Sequence, residues 1–287
     1  MIDVAIITPT LRSDFLMQRA CVSLSKNTKK NIRITHFIIF DNAEISCPKI
    51  TKNKNYNLVL LKNVGLNGPS AARNVGLSKL TDDFDYFGFL DADDYLSENY
   101  IENSIRKLQK SMSTVVFGQG LISDANSRPV KYSNVPIDEG NVEKKLIAIN
   151  IIGCPSGVII CNNIKNRSVF FDTDLRYLED YFYYLSLTKH DNKFLKTDEK
   201  YFYQVHNNQA TKPSNIEQLA DQLLNFLGKV KYLELSFIDT FLIKLRVKIS
   251  KARLSRRYQL EALLAIFLMS ILCSRWLIGR INMWKKG

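Results

Sequence analysis

Cysteine, histidine and long apolar runs are all scarce in this chain of 287 residues. The five cysteines, Cys21, Cys47, Cys154, Cys161 and Cys273, are odd in number and dispersed, with no CxxC spacing. That pattern fits reduced thiols in a cytosolic protein better than a disulfide framework or a zinc site. No Pro/Gly-rich or low-complexity linker and no internal repeat is present, which excludes a solenoid. An apolar run at 262–273, ALLAIFLMSILC, has 12 residues, short of the roughly 20 that span a bilayer. The opening MIDVAIITPT lacks a basic region followed by a long apolar stretch, so a secretory leader is not expected. Aromatic residues are not interleaved with basic ones in an RNA-binding signature, which argues against nucleic acid as a partner.

What the chain does have is apolar content and an uneven charge. Apolar residues make up 46 % of the sequence, enough for a sizeable core, and the net charge is +12. Residues 225–287 hold thirteen Lys/Arg against three acids, a net of +10, so residues 1–224 carry only +2. A nearly neutral body with a basic tail points to a polyanionic partner such as a membrane surface.

Along the first ninety residues, short apolar runs alternate with helical spacing. Val4–Ile7, Ile34–Phe40, Leu58–Leu61 and Tyr86–Leu90 read as buried strands. Ser13 caps a helix carrying Leu16, Met17, Ala20, Cys21 and Leu24, and Pro69 opens a second with Ala71, Ala72, Val75 and Leu80 inward. Near-continuous apolar strands separated by helices imply a mostly parallel sheet covered on both faces. Ligands bind such sheets beyond the carboxyl ends of the strands. Three polar clusters fall there: Thr8-Pro9-Thr10, Asp41-Asn42 and Asp91-Ala92-Asp93. Further on, Ile101, Ile105 and Leu108 mark a helix, Val115–Phe117, Val158–Ile160 and Tyr201–Val205 read as strands, and Glu179-Asp180 precedes a run of aromatics.

Asp91, Asp93 and Asp94 raise one another's pKa if left together. A positive charge between them resolves the conflict, and hard divalent cations take oxygen ligands of this kind. Asp94 reads as a bystander capping the helix near Ser97. The alternative is an acidic turn that only caps that helix.

The stretches IITPT, GPSAARNVGL, FLDADDYL, LEDYFYYL and YFYQVHNNQAT, in that order over residues 2–211, resemble the family 2 glycosyltransferases of the GT-A fold. The resemblance implies a Rossmann-like, mostly parallel α/β sheet flanked by helices. It places a catalytic domain at 1–215, with 1–100 holding a nucleotide-sugar donor and 101–215 facing the acceptor; the remaining residues, 216–287, read by their own composition as a helical basic extension. The resemblance also implies inverting transfer from a nucleoside-diphosphate sugar, a UDP-sugar being expected, aided by Mn²⁺ or Mg²⁺. A cation stabilises the charge that grows on the diphosphate leaving group. By the same resemblance Asp93 binds the metal, Asp91 faces the ribose or reaches the metal through water, and Ala92 completes the motif. Asp41 with Asn42 meets the base, Thr8, Pro9 and Thr10 line the other side of that pocket, and Arg73 reaches the base or a phosphate. Asp180 or Glu179 takes the proton of the acceptor hydroxyl, and His206 completes the metal shell. Each has a plainer reading, as turn aspartates, an exposed arginine, helix-start acids or a loop histidine. His36 reads as a packed strand residue and His190 as a solvated loop residue.

The tail lies outside the resemblance. Basic residues flank the 262–273 run on both sides, a pattern of helices lying in a membrane interface; the alternative is a helical subdomain packed on the catalytic core. The expectation is a cytoplasmic enzyme, peripheral at the inner face of the membrane, acting on a lipid-linked, lipopolysaccharide or capsule glycan. A nucleic-acid-binding protein and an inactive scaffold are the competing readings.

Overall fold

The computed structural model describes residues 1–11, 15–41, 44–45, 48–49, 53–123, 129–132, 142–204 and 216–254. Asn42, Ser13, His206 and the 262–273 run lie outside them. In chain order the elements are β1 (Ile2–Thr10), α1 (Phe15–Asn27), β2 (Ile32–Asp41), β3 (Tyr56–Asn63), α2 (Pro69–Leu77), β4 (Tyr86–Phe89), β5 (Tyr95–Leu96), α3 (Tyr100–Gln109), β6 (Val115–Ser123), β7 (Pro129–Tyr132), α4 (Val142–Ala148), β8 (Val158–Cys161), α5 (Ile164–Arg167), α6 (Glu179–Thr188), β9 (Phe194–Gln204), α7 (Ile216–Val230) and α8 (Phe237–Leu254).

One mixed sheet runs β3-β2-β1-β4-β8-β6-β9-β5, with β7 on β6. Its first four strands are parallel. Beyond β4 the sheet becomes mixed, because β8 pairs antiparallel with both β4 and β6 while β6 and β9 run parallel. The apolar runs of β1, β2 and β4 are buried as expected of strands covered on both faces. Met17, Ala20, Cys21 and Leu24 bury one side of α1, the face their spacing predicts. Pro69 stands at the first turn of α2, where its missing N–H costs nothing. Gly76 lets α2 lie close on the sheet, since a Cβ there would meet Ile7 Cγ2 at 2.6 Å.

The register brings the polar clusters to one edge. Thr10 lies beside Phe40, Asp41 beside Asn63, and Ile7 beside Phe89, so β1, β2 and β4 end together. The chain divides into two compact units, one of residues 1–143 and 151–209 and the other of residues 144–150 and 210–287. The first contains the sheet. In the second, α7 buries Leu223, Phe226 and Val230, while Tyr232 and Phe237 are exposed.

Candidate active site

The site grows from the turn after β4. Leu90 N–H still donates to Ile7 O, at 3.2 Å, so the chain leaves the sheet only at Asp91. Asp91 N–H donates to Ser156 Oγ at 3.0 Å, and Asp94 N–H donates to Asp91 O at 3.0 Å, closing a tight turn. Asp91 and Asp93 remain half-buried. Asp94 is fully buried and does not cap α3, contrary to expectation. Its carboxylate turns inward, accepting from Gln204 N–H at 3.4 Å and from Cys154 Sγ at 3.8 Å. Burial, and then the charges of Asp93 and Asp91, push its pKa well above the usual carboxylate range.

Arg73 projects from α2 into this cluster. Its Nη2 donates to Asp91 Oδ1 at 2.6 Å, and its Nη1 lies 3.8 Å from Glu179 Oε1. The guanidinium is buried, 5.2 Å from the ring centre of Phe171, and among the described residues its Nε and Nη1 have no hydrogen-bond partner. Burial opposes its charge, but Asp91 and Glu179 more than offset that. It is therefore no exposed helix arginine.

The acid pair enters from α6. Leu178 precedes the helix in the left-handed region, φ 63°, a conformation costly for a bulky residue and characteristic of functional turns. Glu179 and Asp180 form the first turn, and Asp180 Oδ1 accepts from Tyr181 N–H at 2.6 Å. Burial raises Glu179 despite Arg73, and burial with the Glu179 charge pushes Asp180 up to about 8. Tyr183 stacks on Phe171 with ring centres 4.1 Å apart, and among the described residues the buried Tyr183 and Tyr184 hydroxyls have no hydrogen-bond partner.

The remaining candidates lie at the strand ends. Asp41 is buried and accepts from Asn63 Nδ2 at 2.7 Å and from Gly68 N–H at 2.6 Å, pinning the loop into α2. Gly68 needs its φ of +115° there. Each Asp41 oxygen keeps a further lone pair for a ligand. Thr8 is fully buried, and its hydroxyl donates to Leu90 O and accepts from His36 Nε2, both at 2.7 Å. It supports the strand end from beneath rather than offering its hydroxyl to a ligand. That pattern makes His36 Nδ1 an acceptor for Tyr56 OH, at 2.7 Å, and burial holds the His36 pKa down near 3. Pro9 is half-buried and Thr10 buried at the same edge.

The structure thus gathers Asp91, Asp93, Arg73, Glu179 and Asp180 in one place. Sequence reasoning missed Cys154, Ser156 and Tyr184. The only local signal for the first two was the CPSG turn, in which Gly157 has φ +78°. The crowded carboxylates fit a divalent cation. Asp91, Asp94 and Cys154 bring ligand atoms within 4.8 Å of one another, and Asp91 of that turn is paired with Arg73. Asp91 and Asp93 stay half open to solvent, while Asp94 lies inward.

The description of glycosyl transferase family 2 matches residues 5–163, more than half of the chain. The chain belongs to that family. The minor teichoic acid biosynthesis protein GgaA of Bacillus subtilis is 26 % identical over 211 residues, 69 % of this chain and 46 % of its own. An uncharacterised glycosyltransferase of Haemophilus influenzae is 24 % identical over 131 residues, 45 % of this chain and 51 % of its own. The chain spans about half the length of these curated relatives. Among solved structures, S. aureus TarS 1–349 in complex with UDP-GlcNAc superposes with a TM-score of 0.66 over 93 % of this chain and 80 % of that one, at 16 % identity. The mannosyltransferase PcManGT of Pyrobaculum calidifontis, in complex with GDP-Man and Mn²⁺, gives 0.58 over 99 % and 79 %, at 11 % identity. These likenesses are of fold.

Proposed function

We propose that this family 2 glycosyltransferase moves a sugar from a nucleoside-diphosphate sugar to a hydroxyl of a cell-surface glycan or glycolipid. The observation that carries this reading is Arg73, whose guanidinium joins Asp91 of the strand-end cluster to Glu179 of the acid pair. One cluster is suited to a cation and diphosphate, the other to proton removal, and Arg73 holds them within a single site. Asp91 and Asp93 would hold Mn²⁺ or Mg²⁺ with the donor, and the cation would supply charge stabilisation for the departing diphosphate. The Nε and Nη1 of Arg73, without a hydrogen-bond partner among the described residues, suit a phosphate or sugar oxygen. Asp41 and the β1 end would flank the base. Asp180, poised near neutrality by burial, would accept the acceptor's proton as its oxygen attacks the anomeric carbon, with inversion. The relationship to GgaA supports an acceptor of the surface-polymer class, a teichoic-acid-like chain as readily as a lipopolysaccharide.

The test is a thermal-shift and hydrolysis screen of nucleoside-diphosphate sugars with Mn²⁺, Mg²⁺ or chelator. A fitting donor at a hundredfold excess over Kd stabilises by about 2.7 kcal/mol, with slow hydrolysis that chelator stops. No shift and no hydrolysis with any donor would overturn the reading.

The basic region 225–287 supports peripheral membrane attachment at the inner face. Each Lys or Arg near an anionic surface contributes about 1 kcal/mol, and among the described residues no helix is long and apolar enough to cross a membrane. The full chain should co-sediment with anionic vesicles, bind neutral ones weakly and be partly released by high salt. A chain ending near Tyr232 that binds vesicles equally well would refute the attachment.

A further inference from the structure

Cys154 is the one nucleophilic side chain at this site that sugar transfer leaves without a task. It precedes β8 in the CPSG turn, and its Sγ lies 3.8 Å from Asp94 Oδ2 and 3.5 Å from Tyr201 OH. Ligand atoms of Asp91, Asp94 and Cys154 lie within 4.8 Å of one another, a spread that one ion can gather. A second observation concerns the same group of charges. The Tyr184 hydroxyl is fully buried and, among the described residues, has no hydrogen-bond partner. It lies close enough to Asp180, Cys154, Arg73 and Asp91 to feel their charges. A buried hydroxyl without a partner costs about 1–3 kcal/mol, and an oxygen ligand on a nearby ion would satisfy it.

The donor set decides the metal class. Two carboxylates alone suit Mg²⁺ or Mn²⁺, whereas a thiolate added to them favours thiophilic ions. Three protein ligands and an open position match the coordination Zn²⁺ adopts where a water or substrate completes the shell. We propose that Asp91, Asp94 and Cys154 form a mixed thiolate–carboxylate site for a thiophilic divalent ion of the Zn²⁺ or Cd²⁺ class, distinct from the donor's cation but sharing Asp91 with it. Binding forms a metal–sulfur bond and releases the Cys154 thiol proton to solvent. Because Asp91 cannot serve both ions fully, occupation of this site antagonises the donor's cation. Ion binding here stands apart from the sugar-transfer reading; only the antagonism rests on it.

The test uses Cd²⁺ as the probe on the full chain without donor. Wild type should show a near-ultraviolet cadmium–thiolate band that Cys154→Ser loses and Cys161→Ser keeps. Cd²⁺ affinity should fall by more than about tenfold in Cys154→Ser, the least that even an outer-shell partner costs a metal site, while Mn²⁺ affinity changes little. Should Cys154→Ser fail to fold, wild type alone decides: Cd²⁺ should protect Cys154, and not the half-buried Cys161, from a small alkylating reagent read by peptide mass spectrometry. A band that survives in Cys154→Ser, or alkylation of Cys154 undiminished by Cd²⁺, overturns the site. Binding of Mn²⁺ with no cadmium–thiolate band sinks this inference and leaves sugar transfer standing. A cadmium–thiolate band without donor hydrolysis does the reverse.

Discussion

At the end of β4 three carboxylates share one tight turn, whereas at the start of α6 two carboxylates stand in the first turn of a helix. Arg73 touches both groups. The helix start is the friendlier place for negative charge, because its unpaired N–H groups and dipole favour an anion. Even so, burial wins there, and Asp180 is pushed up to about 8. At the β4 turn the two outer acids stay half-open to water while Asp94 is driven inward and raised by its neighbours' charges. One residue type thus acquires two chemistries. The open acids of the turn can surround a cation that arrives with a substrate. The buried acid of the helix can hold or give up a proton near neutral pH, which is what a general base requires.

The hardest break of this contrast is Asp91→Asn, which removes the carboxylate shared by the turn, the cation and Arg73. Donor hydrolysis and transfer should both fall to background, since metal stabilisation of the leaving group is worth several kcal/mol. Turnover of Asp91→Asn above a tenth of wild type would show that the turn is not where the cation acts.

Asp180→Asn should leave donor affinity intact and lower kcat by roughly 10²–10⁴. The wild-type rate should climb with pH and level off near about 8, a limb that the variant lacks. Stability should respond with the opposite sense. The folded-state pKa of Asp180 lies above the unfolded value of about 4, so its contribution is full below about pH 4 and is lost as pH rises through about 8. Asparagine escapes that loss. Asp180→Asn should therefore melt above wild type near pH 8.5, by an amount that shrinks toward about pH 4. A variant less stable than wild type at both pH values would place the carboxylate in a structural role.

Arg73→Ala should have the smallest effect on chemistry per acid but should blur the contrast itself. Removing one partner from a buried charge group destabilises by about 3–5 kcal/mol. The loss should be largest near neutral pH and ease in acid, where Glu179, raised by burial, takes up a proton. Urea unfolding at two pH values measures it, and a loss independent of pH would mean that Arg73 acts by packing against Phe171 alone.

How much of this was legible beforehand divides along the sheet. The four parallel strands, α1 and α2 follow from local pattern, because each segment's apolar spacing records how many of its faces are covered. Pro69 and the polar residues after each strand marked the ends, and parallel order then carried Thr8, Asp41 and Asp91 to one edge. Asp91, Arg73 and the Glu179-Asp180 pair were visible as residue types in motifs. Their separations were not: Arg73 meets Glu179 across more than a hundred residues, and Ser156 reaches Asp91 across 65.

Three matters were decided by tertiary structure alone. The antiparallel placement of β8 between β4 and β6 brings Cys154 and Ser156 under the acidic turn, and strand order depends on which edges meet, not on the spacing within a strand. The inward turn of Asp94 follows from the closing hydrogen bond to Asp91 and from what β8 and β9 offer it, so a sequence that reads as a helix cap became a buried carboxyl. The commitment of the Thr8 hydroxyl to His36 and Leu90 likewise needs β1, β2 and the end of β4 assembled. Composition and periodicity dictate which side chains leave water, because that depends on each segment's own pattern. Which polar groups those side chains then meet is set by long-range packing, and from it come the charges, proton affinities and free ligand positions on which the chemistry rests.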